Sequence, residues 1–253
     1  MNRFFVKPSQ VDNDLNEIII EGDDVKHISK VLRLSKGDEI EICDGEAWEY
    51  IGNIQSISKD EVIAAIVQRE PLRTEAELRV ILYQGLPKGA KMELILQKTT
   101  EMGIAEIVPI ITDRAVVQLK DTKDKEKKAE RWYKITEEAA KQCKRGIIPE
   151  VHIPISFKEA LKHSVQNNLN ILAYEKESVK GLKNLLSQSK DKSIKRIGIW
   201  IGPEGGFTEE EISLALDNNV STVTLGPRIL RTETAGFALL SMVMYELGDL
   251  GGN

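Results

Sequence analysis

Two short segments near the C-terminus constrain the fold of this chain more than any other feature. In each, a strand runs into a glycine–proline bend and a helix opens beyond it. The first is Ile197-Gly198-Ile199-Trp200-Ile201-Gly202-Pro203-Glu204-Gly205-Gly206-Phe207-Thr208. Thr208, with Glu211 three residues on, has the spacing of a capping box that starts a helix. The glycines let backbone approach a ligand closely or adopt positive φ. The second is Thr224-Leu225-Gly226-Pro227-Arg228-Ile229-Leu230-Arg231-Thr232-Glu233-Thr234-Ala235-Gly236, with Thr232 as the expected N-cap. In open parallel α/β sheets ligands sit beyond the carboxyl ends of the strands, where such bends lie. The first bend is neither a G-x-G-x-x-G fingerprint nor a G-x-x-x-x-G-K-[ST] phosphate loop. Leu225, Ile229 and Leu230 can build an apolar slot edged by backbone polar groups. The plainer alternatives are a tight turn without a ligand, and Ile229 and Leu230 plugging a core while Arg231 pairs with Glu233.

Periodicity organises the rest. Residues 2–6, 15–20, 38–43, 48–57 and 62–68 read as short strands, punctuated by Gly22, Gly37 and Gly45. One helix interrupts them, capped by Asp23 or Asp24, with Val25, Ile28, Val31 and Leu32 at helical spacing. Five strands and a helix predict a small β-barrel, with a boundary at Pro71. Beyond it strands and helices alternate: strand 78–83, helix 91–102, strand 107–111, helix 126–145, strand 170–174, helix 179–188, strand 196–201, helix 209–218, strand 222–225 and helix 234–247. That alternation predicts an α/β domain with a parallel sheet covered on both faces. The expected division is residues 1–72 and 73–253.

Charge and composition narrow the function classes. The net charge of −5 argues against a nucleic-acid binder, but its distribution does not. From Asp113 to Arg145 there are eleven Lys/Arg against seven Asp/Glu, and phosphate contacts need only local cationic surface. Taken alone, the run from Lys120 to Lys134 reads as a solvated helix face. Cys43 and Cys143 form no C-x-x-C, and histidines at 27, 152 and 163 give no metal-ligand spacing, so a metal-free site is expected. No run approaches the roughly 20 apolar residues of a membrane span, and the N-terminus lacks a signal-peptide pattern. The expected compartment is the cytoplasm, with no membrane partner.

The two bends resemble the signatures of the bacterial ribosomal-RNA uridine-N3 methyltransferases of the SPOUT superfamily. Arg3-Phe4-Phe5, His27-x-x-x-Val31-Leu32-Arg33, the block from Lys88 and Lys91 through Glu101-Met102-Gly103, and Glu138-Ala139-Ala140-Lys141-Gln142-Cys143-Lys144-Arg145 are similar to further family blocks, in order. The resemblance implies an N-terminal PUA-like β-barrel for RNA and a C-terminal SPOUT domain with a deep trefoil knot. It also implies S-adenosylmethionine as cofactor, a homodimer, and ribosomal RNA or the small ribosomal subunit as partner.

Uridine N3 holds its proton tightly, so methylation requires a base or a charge that stabilises the developing anion. On this reading Arg231 stabilises a uracil oxygen and Glu233 serves as base or orienter. Leu172, Gly202, Pro203, Glu204, Gly205, Gly206, Leu225, Gly226, Ile229 and Leu230 hold the cofactor. Arg3, His27, Arg33, Lys88, Lys91, Gln142 and Arg145 contact RNA, and Phe4 or Phe5 can stack a base. The competing readings are a SPOUT enzyme acting on another base or on ribose 2′-OH, and a non-catalytic ribosome-assembly factor that binds RNA only.

Overall fold

The computed structural model describes residues 1–117, 121–190 and 193–252. Lys120, which opens the charged run, lies outside them. Two compact units emerge: Met1–Glu75 with Ala140–Ile148, and Ala76–Ala139 with Pro149–Asn253. The expected single cut after residue 72 makes no allowance for the return of 140–148 to the first unit, a long-range event that periodicity does not register.

The first unit is a six-stranded sheet built from β1 (Arg3–Phe5), β2 (Val11–Asp12), β3 (Glu17–Glu21), β4 (Glu39–Cys43), β5 (Trp48–Ile57) and β6 (Glu61–Pro71). Their order is β1-β4-β5-β6-β3-β2, with only the β1–β4 pair parallel. Alternation sends Ile18, Ile20, Ile40, Ile42, Ile54 and Val62 into one core with Phe4. Helix α1 (Asp23–Lys26) passes into a π-helical turn at His27–Val31. Val25 and Ile28 are buried as expected, but Val31 is 68% exposed, because the wider π turn rotates it off the buried face.

The second unit alternates β7 (Arg79–Gly85), α2 (Lys91–Glu101), β8 (Glu106–Ile111), α3 (Thr122–Gln142), β9 (Glu150–Val151), β10 (Ile155–Ser156), α4 (Phe157–Ser164), β11 (Leu169–Ala173), α5 (Leu182–Ser187), β12 (Arg196–Ile201), α6 (Glu209–Asp217), β13 (Val220–Val223) and α7 (Thr232–Leu247). Helix α3 ends in the segment that belongs to the first unit. The sheet runs β10-β8-β7-β12-β11-β13, with β9 also on β8, and every pairing is parallel. Strand β12 shows why both faces are covered. Ile197, Ile199 and Ile201 enter the core shared with α2, α5 and α7, whereas Trp200 enters the one shared with α4 and α6. Trp200 stacks on Tyr83 of β7, its partner in register, at 4.1 Å between ring centroids. No described helix is long and apolar enough to cross a membrane.

Candidate active site

The bends after β12 and β13 meet at the carboxyl end of the sheet. Thr232 does not cap α7; Arg231 occupies that position without a side-chain cap. The Thr232 hydroxyl instead donates to Gly202 O at 2.6 Å and accepts from Gln84 Nε2 at 2.9 Å, latching one bend to the other. On β7, a Cβ at Gly85 would stand 2.5 Å from Pro203 Cδ, so a residue without a side chain is required where the first bend passes. Gly206 has φ +67°, which glycine alone adopts without strain. Downstream, Thr208 and Glu211 form the expected capping box. The second oxygen of Glu211 accepts from Asp113 N at 3.0 Å, and Arg114 Nη1 donates to Gly205 O and Phe207 O. The first bend is therefore held from three sides.

Between the bends lies a cavity of about 410 Å³, within the range of roughly 300–1,000 Å³ usual for small-molecule sites. Gly202, Pro203, Glu204 and Gly206 wall one side and Leu225, Gly226, Ile229 and Leu230 the other, as the sequence suggests. Ile229 is 88% exposed, so it forms a rim and is not a core plug. Two expected residues are not in the wall. Leu172 is fully buried among Trp200 and Phe207 on the opposite face of the sheet, and its neighbour Ala173 takes the place. Gly205 is exposed, with its carbonyl turned to Arg114. Sequence reasoning also missed Tyr174 and Glu175, which reach the cavity from the loop after β11. The placement of β11 between β12 and β13 brings that loop here, and no local motif announces it.

Arg231 lines the cavity; Glu233 is not among the lining residues and is linked to the site through Lys91, which is. The alternative Arg231–Glu233 pair is not formed; Glu233 pairs with Lys91, Nζ to Oε2 at 3.6 Å. Glu233 Oε2 is buried and has no hydrogen-bond partner among the described residues. Lys91 also bonds Glu204 Oε1 at 2.8 Å, so it is not a free cation for RNA. The Glu204 carboxyl is pulled below its ordinary range: burial opposes the shift, but Lys91 and backbone N–H groups outweigh it.

In the first unit two expected RNA contacts prove structural. Arg3 is 9% exposed and spends its guanidinium on Glu41, Glu49 and the carbonyls of Lys144 and Arg145. Arg145, 7% exposed, is clasped by Glu75, with Nη2 to Oε2 at 2.6 Å. A buried arginine is retained only when paired, and both have their carboxylates. Phe4 is core and packs edge-on against His27, while Phe5 is half-buried. Arg33, at φ +55°, Gln142 and Lys88 are exposed.

Linear spacing also missed a cluster in the second unit. Glu106, His152 and His163 bring ligand-type atoms within 4.8 Å of one another, correcting the expectation that the histidines cannot assemble such a group. Both Glu106 oxygens are held by Arg196, at 2.9 and 2.8 Å, and Oε1 also by Arg79. His163 Nδ1 lies 2.8 Å from Tyr83 Oη. Two arginines on the only carboxylate of the trio oppose a cation there, and the cluster reads as a charge network.

Comparison with known proteins agrees with this geometry. Residues 74–244 match the RNA methyltransferase domain model, and residues 20–67 match the RNA methyltransferase PUA domain model. The ribosomal RNA small subunit methyltransferase E of Bacillus subtilis is 37% identical over the full length of both chains. Its counterpart in Buchnera aphidicola is 30% identical, covering 94% of this chain and 92% of that one. The crystal structure of the Neisseria gonorrhoeae enzyme of the same name, bound to S-adenosyl methionine, superposes with a TM-score of 0.85. It is 28% identical and is covered over 99% of both chains. By the match over both its segments and its full-length relatives, the chain belongs to the RNA methyltransferases, and among them to the ribosomal RNA small subunit methyltransferase E family.

Proposed function

We propose that this chain transfers the methyl group of S-adenosylmethionine to N3 of a uridine in small-subunit ribosomal RNA. The observation that carries the reading is the cavity between two latched bends, walled by backbone and by Leu225 and Leu230, with Arg231 in its lining and, across Lys91, Glu233, whose Oε2 has no hydrogen bond. The donor set suits the cofactor: apolar walls for an adenine or thioether, backbone polar groups at the two bends, and both carboxylates and guanidinium groups in the lining for a ligand that carries charge of both signs. When bound, S-adenosylmethionine supplies an electrophilic methyl on its sulfonium. The residues of the chain then do the rest. The walls set the direction of attack, which lowers the entropic cost of reaching the transition state. Glu233 accepts the N3–H, and Arg231 stabilises negative charge spreading onto a uracil oxygen.

Gly202, Pro203, Glu204, Gly206, Leu225, Gly226, Ile229 and Leu230 form the cofactor side of this reading. Arg33, His27, Gln142 and Lys88 are the remaining RNA contacts. We assign the finer architecture by family: a closed barrel in the PUA unit, a trefoil knot at the two bends, a homodimer, and residence in the cytoplasm with the ribosomal subunit. The direct test is nucleoside mass spectrometry of small-subunit RNA incubated with the chain and labelled cofactor. N3-methyluridine is expected. Label on another base or on ribose would redirect the substrate assignment, and RNA binding without label would leave an assembly factor.

A further inference from the structure

We infer that Lys91 is a positioning residue for methyl transfer: its ammonium, shared between Glu204 on the first bend and Glu233 at the start of α7, holds Glu233 with one oxygen left for a donor on the substrate. This deepens the function proposed above and rests on it. Lys91 is the first residue of α2, directly after the turn at Gly89. Its Nζ is 2.8 Å from Glu204 Oε1 and 3.6 Å from Glu233 Oε2. The Glu204 carboxylate also accepts from Lys88 N at 3.2 and 3.3 Å, so the first bend is fixed to the segment that leads into α2. Glu233 has no such second anchor: Oε2 is buried without a hydrogen bond, and at 3.6 Å the lysine supplies charge but no bond. A carboxylate oxygen left this way costs free energy until a donor arrives, and the N3–H of uracil is such a donor.

The charge balance favours this role over phosphate binding. With two carboxylates on one ammonium, the trio keeps no positive charge to offer a phosphate. To hold RNA backbone, Lys91 would have to leave two carboxylates. Without the ammonium, those carboxylates, gathered at 2.8 and 3.6 Å about one nitrogen, repel each other and Glu233 loses its fixed place.

The experiment compares the full chain with Lys91→Met and Lys91→Arg. It measures kcat and KM for methyl transfer to small-subunit RNA, and RNA affinity across salt concentrations. Lys91→Met is expected to lower kcat about 10- to 100-fold, with RNA affinity and its salt dependence unchanged and much of the rate restored in Lys91→Arg. An unchanged kcat overturns the inference. So does weaker RNA binding with a salt slope shallower by about one, the mark of a lost phosphate contact. Should Lys91→Met not fold, Glu204→Gln carries the same test: a several-fold loss in kcat at unchanged RNA affinity is expected, and no loss overturns the inference. Absence of transfer by the unsubstituted chain would overturn the methyltransferase reading itself.

Discussion

Arg231 makes no ion pair among the described residues although it lines the cavity, while Glu233 two residues on is held by Lys91. An unpaired guanidinium beside a reaction site is free to meet charge that develops only in the transition state. Arg231→Ala is therefore expected to reduce kcat about 10²- to 10³-fold, while calorimetry with S-adenosylhomocysteine shows nearly unchanged affinity; equal losses in both would place Arg231 in the cofactor wall instead. Gly85→Ala should behave in the opposite way. Its new methyl meets Pro203 at 2.5 Å, displacing the first bend, and cofactor affinity should fall about tenfold or more. Gly202 and Gly226 announce themselves in the sequence because each ends a strand-like run in a Gly-Pro pair. Gly85 does not, since nothing local says which distant segment will cross it. The same ignorance of partners misassigns Arg3 and Arg145, whose carboxylates lie 38 and 70 residues away. Leu172 fails by a single position: strand parity sends it to one face and Ala173 to the other, and a strand covered on both faces conceals that parity.

Helix α6 carries its instructions locally, and so its start at Glu209 is legible from Thr208 and Glu211 alone. Both parts of the box are made: Glu211 N donates to Thr208 Oγ1, and Thr208 N to Glu211 Oε2. Removing the cap in Thr208→Ala should cost about 1 kcal/mol in urea denaturation. Glu211→Ala should cost more, about 2 kcal/mol, because Asp113 N loses its acceptor too and Glu211 is buried. Equal costs for the two would mean that the Asp113 bond adds nothing. Where a helix depends on tertiary partners, the sequence is less informative. The stretch 179–188 predicts a helix from its apolar spacing, yet α5 spans only Leu182–Ser187, because the preceding residues are drawn into a bridge between Gly181 and Thr224. The turn after α1 likewise widens to a π-helix, which no spacing of Val25, Ile28 and Val31 specifies.

The order of strands is a property of the whole second unit, and it creates the charge network that no motif foretells. Parallel pairing sets Arg79 of β7 opposite Arg196 of β12, and both reach Glu106 at the start of β8. Burial opposes ionisation of Glu106, yet contacts from His152, Arg196 and Arg79 hold its carboxyl far below the usual range. Burial likewise lowers His163, with His152 and Arg196 adding to the shift and acidic neighbours opposing it. Both groups bind fewer protons folded than unfolded, so stability rises with pH wherever either is titrating. The contribution of His163 is complete above about pH 6.5, and that of Glu106 above about pH 4.3, the unfolded values; each fades as pH falls toward its folded value. Urea denaturation followed by Trp fluorescence should therefore show stability declining in two stages on acidification. His163→Gln should flatten the first stage while leaving the second. Glu106→Gln should lower stability already at neutral pH, by about 3 kcal/mol, because the half-buried Arg196 loses its counter-charge, and should flatten the acidic stage. A pH profile of Glu106→Gln parallel to that of the unsubstituted chain would show that the network is not what acid disrupts.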